Sequence, residues 1–78
     1  MKVNAGDVYR SKRGTHWYDR ENLPLQFVPE GTEVRVSDYD GTSVGFDIID
    51  GDSSYIIQDH MKVLERSFFD NFSPVPVG

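Results

Sequence analysis

Val34-Arg35-Val36-Ser37-Asp38-Tyr39-Asp40-Gly41-Thr42-Ser43-Val44-Gly45-Phe46-Asp47-Ile48-Ile49-Asp50-Gly51 carries two Asp-Gly pairs ten residues apart, set among residues that alternate apolar and polar. Asp-Gly supplies the positive φ angles of a two-residue hairpin turn, and alternation gives each flanking strand one buried face. Val34 and Val36 precede the first turn, Val44, Phe46 and Ile48 lie between the turns, and Tyr55 and Ile57 follow the second. The pattern predicts three antiparallel strands over residues 32–58 sharing one apolar face, with Val36 near Val44 and Phe46 near Tyr55. Gly45, inside the middle strand, marks a bulge or sharp bend. Ile49 and Ile56 fall on the opposite face, and the proline-broken segment around Phe27 is the candidate to cover them.

Outward from the meander, Gly6-Asp7 reads as a turn feeding a first strand at Val8-Tyr9-Arg10. Residues 11–22 are polar and punctuated by Gly14, which predicts a long loop or irregular hairpin. Leu23-Pro24-Leu25-Gln26-Phe27-Val28-Pro29 is apolar but broken by proline, so it reads as an extended segment rather than a central strand. Residues 59–72 admit two readings. Met61, Leu64, Phe68 and Phe72 have helical spacing behind a capping Asp59, yet Met61-Lys62-Val63-Leu64 also reads as a strand followed by a separate turn. The split reading is preferred, with Ser67 and Asp70 as a short-acid capping box and the phenylalanines as an apolar plug. Residues 73–78 hold prolines that exclude helix, leaving a final edge strand through Val75 and Val77 or a tail.

The 78 residues make one small domain, 1–78, whose core depends on a few large side chains: five Phe, four Tyr and one Trp. Cysteine is absent, which excludes disulfides and thiolate metal sites. The first residues lack the apolar run of a secretory signal, and no stretch approaches the roughly 20 apolar residues of a membrane span, so the expected location is the cytoplasm. The net charge of -5 is bipolar: residues 1–29 carry five cations against three carboxylates, and residues 30–78 carry three cations against ten. An acidic whole disfavours general affinity for phosphate backbones, while a local basic segment leaves it open.

Several constellations look chemical and fail on inspection. Asp38-Tyr39-Asp40-Gly41-Thr42 after a strand resembles the nucleophile motif of haloacid-dehalogenase-type phosphatases, but that chemistry needs a parallel α/β sheet and distal groups a short meander does not present. A calcium loop aligned on Asp38, Asp40 and Gly41 puts Val36 at its first position and the short Asp47 at its last. His16 and His60 have no neighbour at metal-ligand spacing, and no nucleophilic triad can be assigned. The reading is therefore no enzyme, no cofactor and no metal.

The succession of a first strand after Gly6-Asp7, a long loop, three meander strands, a short helical turn and a last strand resembles the SH3-like small barrel. Gly6-Asp7-Val8-Tyr9-Arg10 and Arg66-Ser67-Phe68-Phe69-Asp70-Asn71-Phe72-Ser73-Pro74-Val75 are similar to a pattern in short proteins of tailed bacteriophages. The resemblance implies a mostly β, SH3-like barrel of about five antiparallel strands with a short C-terminal helical turn. It also implies a phage accessory protein that acts in the bacterial cytoplasm by binding rather than catalysis, and the reading adopted is a monomer that binds and modulates a host bacterial protein. Trp17 lies in the first loop and no dense acidic loop precedes a tryptophan, which departs from the proline-peptide groove of SH3 domains.

Two surfaces are candidates for partner contact. Asp38, Asp40, Asp50 and Asp52 sit at turns and outward strand positions, where rigid carboxylates can meet a host protein with a basic surface. Arg10, Lys12, Arg13, Trp17 and Tyr18 interleave cations with aromatics, a pattern suited to unpaired nucleic acid, and form the alternative reading.

Overall fold

The computed structural model describes residues 3–18, 25–51 and 60–76. The elements are β1 (Val8–Ser11), β2 (Thr15–Tyr18), β3 (Leu25–Val28), β4 (Glu33–Tyr39), β5 (Ser43–Asp50), β6 (His60–Leu64), α1 (Glu65–Asn71) and β7 (Phe72–Pro74). One antiparallel sheet has the order β6-β5-β4-β1-β7, and β2 and β3 form a separate antiparallel pair. The fold is mostly β with one short helix, as the alternation predicts. The sheet does not close on itself; β6 and β7 stand at its margins.

The first Asp-Gly pair joins β4 to β5, but by a different device from the predicted one. Gly41 has φ of 90° while Asp40 does not enter the positive region, so the turn is not the mirror-image hairpin type that needs both. Instead the Asp40 side chain closes it: Oδ1 accepts the backbone N–H groups of Thr42 at 2.9 Å and Ser43 at 2.7 Å. Gly45 does mark a bulge. Val36 pairs with Phe46 and Asp38 with Gly45, so Ser37 is the extra residue of β4.

The second Asp-Gly pair does not turn the chain in the predicted place. Asp50 is still in β5, opposite Glu33, and Gly51 lacks a positive φ. The strand expected over Ser54–Gln58 lies outside the described residues, as do Asp52 and Ile56. The neighbour of Phe46 across β5 is Met61 of β6, not a residue near Tyr55. Met61 and Val63 follow the same period of two as Tyr55 and Ile57, and they are 0% and 3% exposed where β6 pairs with β5.

The split reading of residues 59–72 holds, with β6 running directly into α1. Ser67 is inside the helix rather than at its start; the N-cap is Leu64, which makes no side-chain cap bond. The helix end is satisfied from outside, because the Glu65 amide donates to the Thr42 carbonyl at 3.0 Å. The last residues form an edge strand: β7 pairs with β1, and the Val75 amide extends the ladder to the Val8 carbonyl at 2.9 Å.

The core gathers Val34 and Val36 of β4, Val44 and Phe46 of β5, Met61 and Val63 of β6, and the aromatics Tyr9, Trp17, Phe68 and Phe72. Phe68 and Phe72 stack at 4.9 Å, and each meets Phe46 at 5.5 Å. Phe68 comes from α1 and Phe72 from the first residue of β7, so the predicted aromatic plug is shared between helix and strand rather than carried by one helical turn. Ile49 is not covered by the Phe27 segment; it is 40% exposed, and Phe27 packs on His16 at 4.9 Å.

Candidate functional site

The acidic residues do not form one plate. Asp38 and Asp40 sit at the end of the β4–β5 hairpin that carries its turn, whereas Asp50 ends β5 at the other extremity, about 20 Å away at strand rise. Asp40 is engaged internally by the two turn amides and lies 3.9 Å from the Lys62 ammonium. Asp38 and Asp50 are exposed, and Asp52 is outside the described residues.

The basic aromatic segment is dispersed as well. Arg10 on β1 pairs with Glu33 at 2.7 Å across the strand boundary. Arg13 is exposed and donates to the Asp70 carbonyl at 3.3 Å; Lys12 is exposed. Trp17 is 5% exposed and packs against Phe72 at 5.6 Å, so its ring belongs to the core and not to a surface on which a base stacks. Tyr18 lies in β2, paired with Leu25.

A different surface draws several elements together. A depression of about 260 Å³ opens between β2, the end of β6 and α1, with Thr15, Trp17, Val63, Leu64, Ser67 and Asn71 in its walls. A second, of about 600 Å³, is bounded by the Gly41-Thr42 turn and by Leu64, Glu65, Arg66 and Ser67. Both include Leu64 and Ser67 at the β6–α1 junction, and the two together are referred to as the β6–α1 groove. Leu64 is 47% exposed, although Met61 and Val63 on the same strand are buried. The period of two explains this: Met61 and Val63 face the core, and Lys62 and Leu64 face out. That outward leucine was the legible signal of the groove; Thr15, Arg66, Ser67 and Asn71 had none.

The groove is fastened at both ends. Thr15 Oγ1 donates to Asn71 Oδ1 at 3.2 Å, and Asn71 Nδ2 donates to the Ser67 carbonyl at 2.9 Å, tying the β2–β3 hairpin to α1. At the other end the Tyr39 hydroxyl donates to the Glu65 carboxylate, tying β4 to the helix start. That hydrogen bond, then partial burial and the negative charges of Glu65 and Asp40, raise the Tyr39 phenol above its ordinary pKa. Trp17 Nε1 is buried and has no hydrogen-bond partner.

Elsewhere, His60 Nδ1 lies 2.9 Å from Asp47 Oδ1 on the exposed β5–β6 ladder. Among the described residues no three His, Cys, Asp or Glu side chains converge, and no helix is long and apolar enough to cross a membrane. Comparison of the chain with protein-family models, curated proteins and solved structures finds no match.

Proposed function

We propose that this chain is a non-enzymatic protein-binding module of SH3-like architecture that docks its partner at the β6–α1 groove. The order of elements supports the architectural part: a first strand, an inserted hairpin, a central pair joined by a tight turn, then a strand leading through a helical turn to a last strand beside the first. The observation that carries the functional part is Leu64, a large apolar side chain 47% exposed that lines two neighbouring depressions. Exposed apolar surface rimmed by polar groups is how protein contact sites present themselves. A host bacterial protein as partner, and a phage accessory role, are supported by the resemblance of the sequence alone.

The carboxylates of Asp38 and Asp50 lie at opposite ends of the β4–β5 hairpin, and steering of an oppositely charged partner is the role that fits them. The nucleic-acid alternative gains no support from Trp17, whose ring is inside. Capture from nuclease-treated bacterial lysate by the immobilised parent chain and by Leu64→Ser tests the reading. A partner retained after nuclease and lost with Leu64→Ser is the expected result; capture that disappears with nuclease would sink it.

A further inference from the structure

β7 stands at one margin of the sheet, and its backbone groups are divided unequally between its two sides. It pairs with β1 in the register Tyr9↔Pro74, Arg10↔Ser73 and Ser11↔Phe72. The Lys12 amide donates to the Asn71 carbonyl at 2.8 Å and the Val75 amide to the Val8 carbonyl at 2.9 Å, which continues the ladder at both ends. Antiparallel pairing uses every second residue, so Asn71, Ser73 and Val75 aim their backbone groups at β1, while Phe72, Pro74 and Pro76 aim theirs away from it. That outward set holds no free donor. The Phe72 N–H is engaged by the Phe68 carbonyl as the cap of α1, and Pro74 and Pro76 have no N–H. Both prolines are exposed, and among the described residues the only strand beside β7 is β1.

We propose that the β7 edge is closed to strand addition, and that Pro74 and Pro76 keep copies of this chain from joining edge to edge there. A strand arriving at an open edge needs donors and acceptors in alternation. Here it meets carbonyls alone, so its own carbonyls enter the junction without partners, and the prolyl rings stand where amide hydrogens would be. The spacing of the prolines is what makes this compatible with the fold. A proline at position 73 or 75 would remove a hydrogen bond to β1, whereas prolines at 74 and 76 leave every bond of that ladder in place. The closed edge is independent of docking at the β6–α1 groove.

Pro74→Val combined with Pro76→Val restores two outward N–H groups. In sedimentation from micromolar to millimolar concentration the parent is expected to remain a monomer, and the double variant to approach about twice the parent mass, because a two-fold axis along the edge pairs two copies. The amides at 74 and 76 should gain protection from hydrogen exchange as concentration rises. Ser73→Val separates the donor from the apolar side chain: it adds the same valine at a residue whose N–H already faces β1, and it is expected to stay monomeric. Pro76→Val alone lies past the paired residues of β7 and is expected to melt with the parent, so it carries the test if the double variant does not fold. Folded variants that regain an outward N–H yet stay monomeric at millimolar concentration would overturn the proposal. So would association of Ser73→Val, or of the parent itself, as strong as that of the proline variants.

Discussion

At Gly51 a single added carbon would meet the Thr32 side chain, with Cγ2 at 2.9 Å and Oγ1 at 3.2 Å. Thr32 has little room to yield, since it is 2% exposed and its hydroxyl donates to the Pro29 carbonyl at 2.7 Å. Gly51→Ala is therefore expected to cost about 1–3 kcal/mol, read as a lower urea midpoint. Gly45→Ala is the contrast: the added carbon overlaps the carboxylate of Asp38, an exposed side chain free to swing into water. Its cost should stay below about 1 kcal/mol, and the reverse ranking would show that Thr32 and not Asp38 adapts. Tyr9 sets a pH dependence. Burial, and then the charge of Asp7, raise its phenol above the ordinary 10.0. The folded chain thus holds this proton more tightly than the unfolded one. The associated stability is fully present below about pH 10 and declines as pH rises toward the raised folded value. Alkaline titration of stability should show a downward slope above pH 10, shallower in Tyr9→Phe, which keeps the ring that meets Phe68 at 4.9 Å. An unchanged slope would assign it to other tyrosines.

Among the elements, α1 is the least able to exist by itself, because seven residues fall far below the length at which an isolated helix is stable in water. Its hold on the sheet is Phe68, fully buried against Tyr9, Phe46 and Phe72. Phe68→Ala is expected to cost about 3–5 kcal/mol. That is a large share of the roughly 4–12 kcal/mol a domain of this size commands, so thermal melting should shift by many degrees or vanish. A shift of a degree or two would mean that the helix is not held by this ring. The legibility of the elements in the sequence follows the range of the forces that fix them. β4 and the first half of β5 were readable because alternation is local, and the β6–α1 division because Met61 and Val63 keep a period of two where Phe68 and Phe72 keep a helical one. The helix start was misplaced at Ser67 because the Thr42 carbonyl, more than 20 residues earlier, receives the Glu65 amide. The contact of Trp17 with Phe72 was not legible, because only the folded chain brings the two rings together. The groove was legible only through Leu64, because its other wall comes from β2, which the sequence keeps more than 40 residues from β6 and α1.

In the whole molecule, the strand order places β1 between β4 and β7, so the earliest strand is hydrogen-bonded to the latest. Phe72 begins that latest strand and also touches Trp17, Phe46 and Phe68. A chain ending after residue 71 loses the edge that covers β1 and a ring shared by three core aromatics. It is expected to show no cooperative melt and no near-ultraviolet signal from Trp17, and a sharp melt would place the core elsewhere. The same arrangement imposes an order on biosynthesis. A ribosome delivers residues from the first to the last, and here the rings that complete the interior follow the strands they cover. The nascent chain has the β4–β5 hairpin in hand early but nothing to seal it, so acquisition of the fold waits until Phe68 and Phe72 have emerged. Arrested chains displaying residues 1–66 should be cut by protease as readily as unfolded polypeptide, and chains displaying 1–78 should resist.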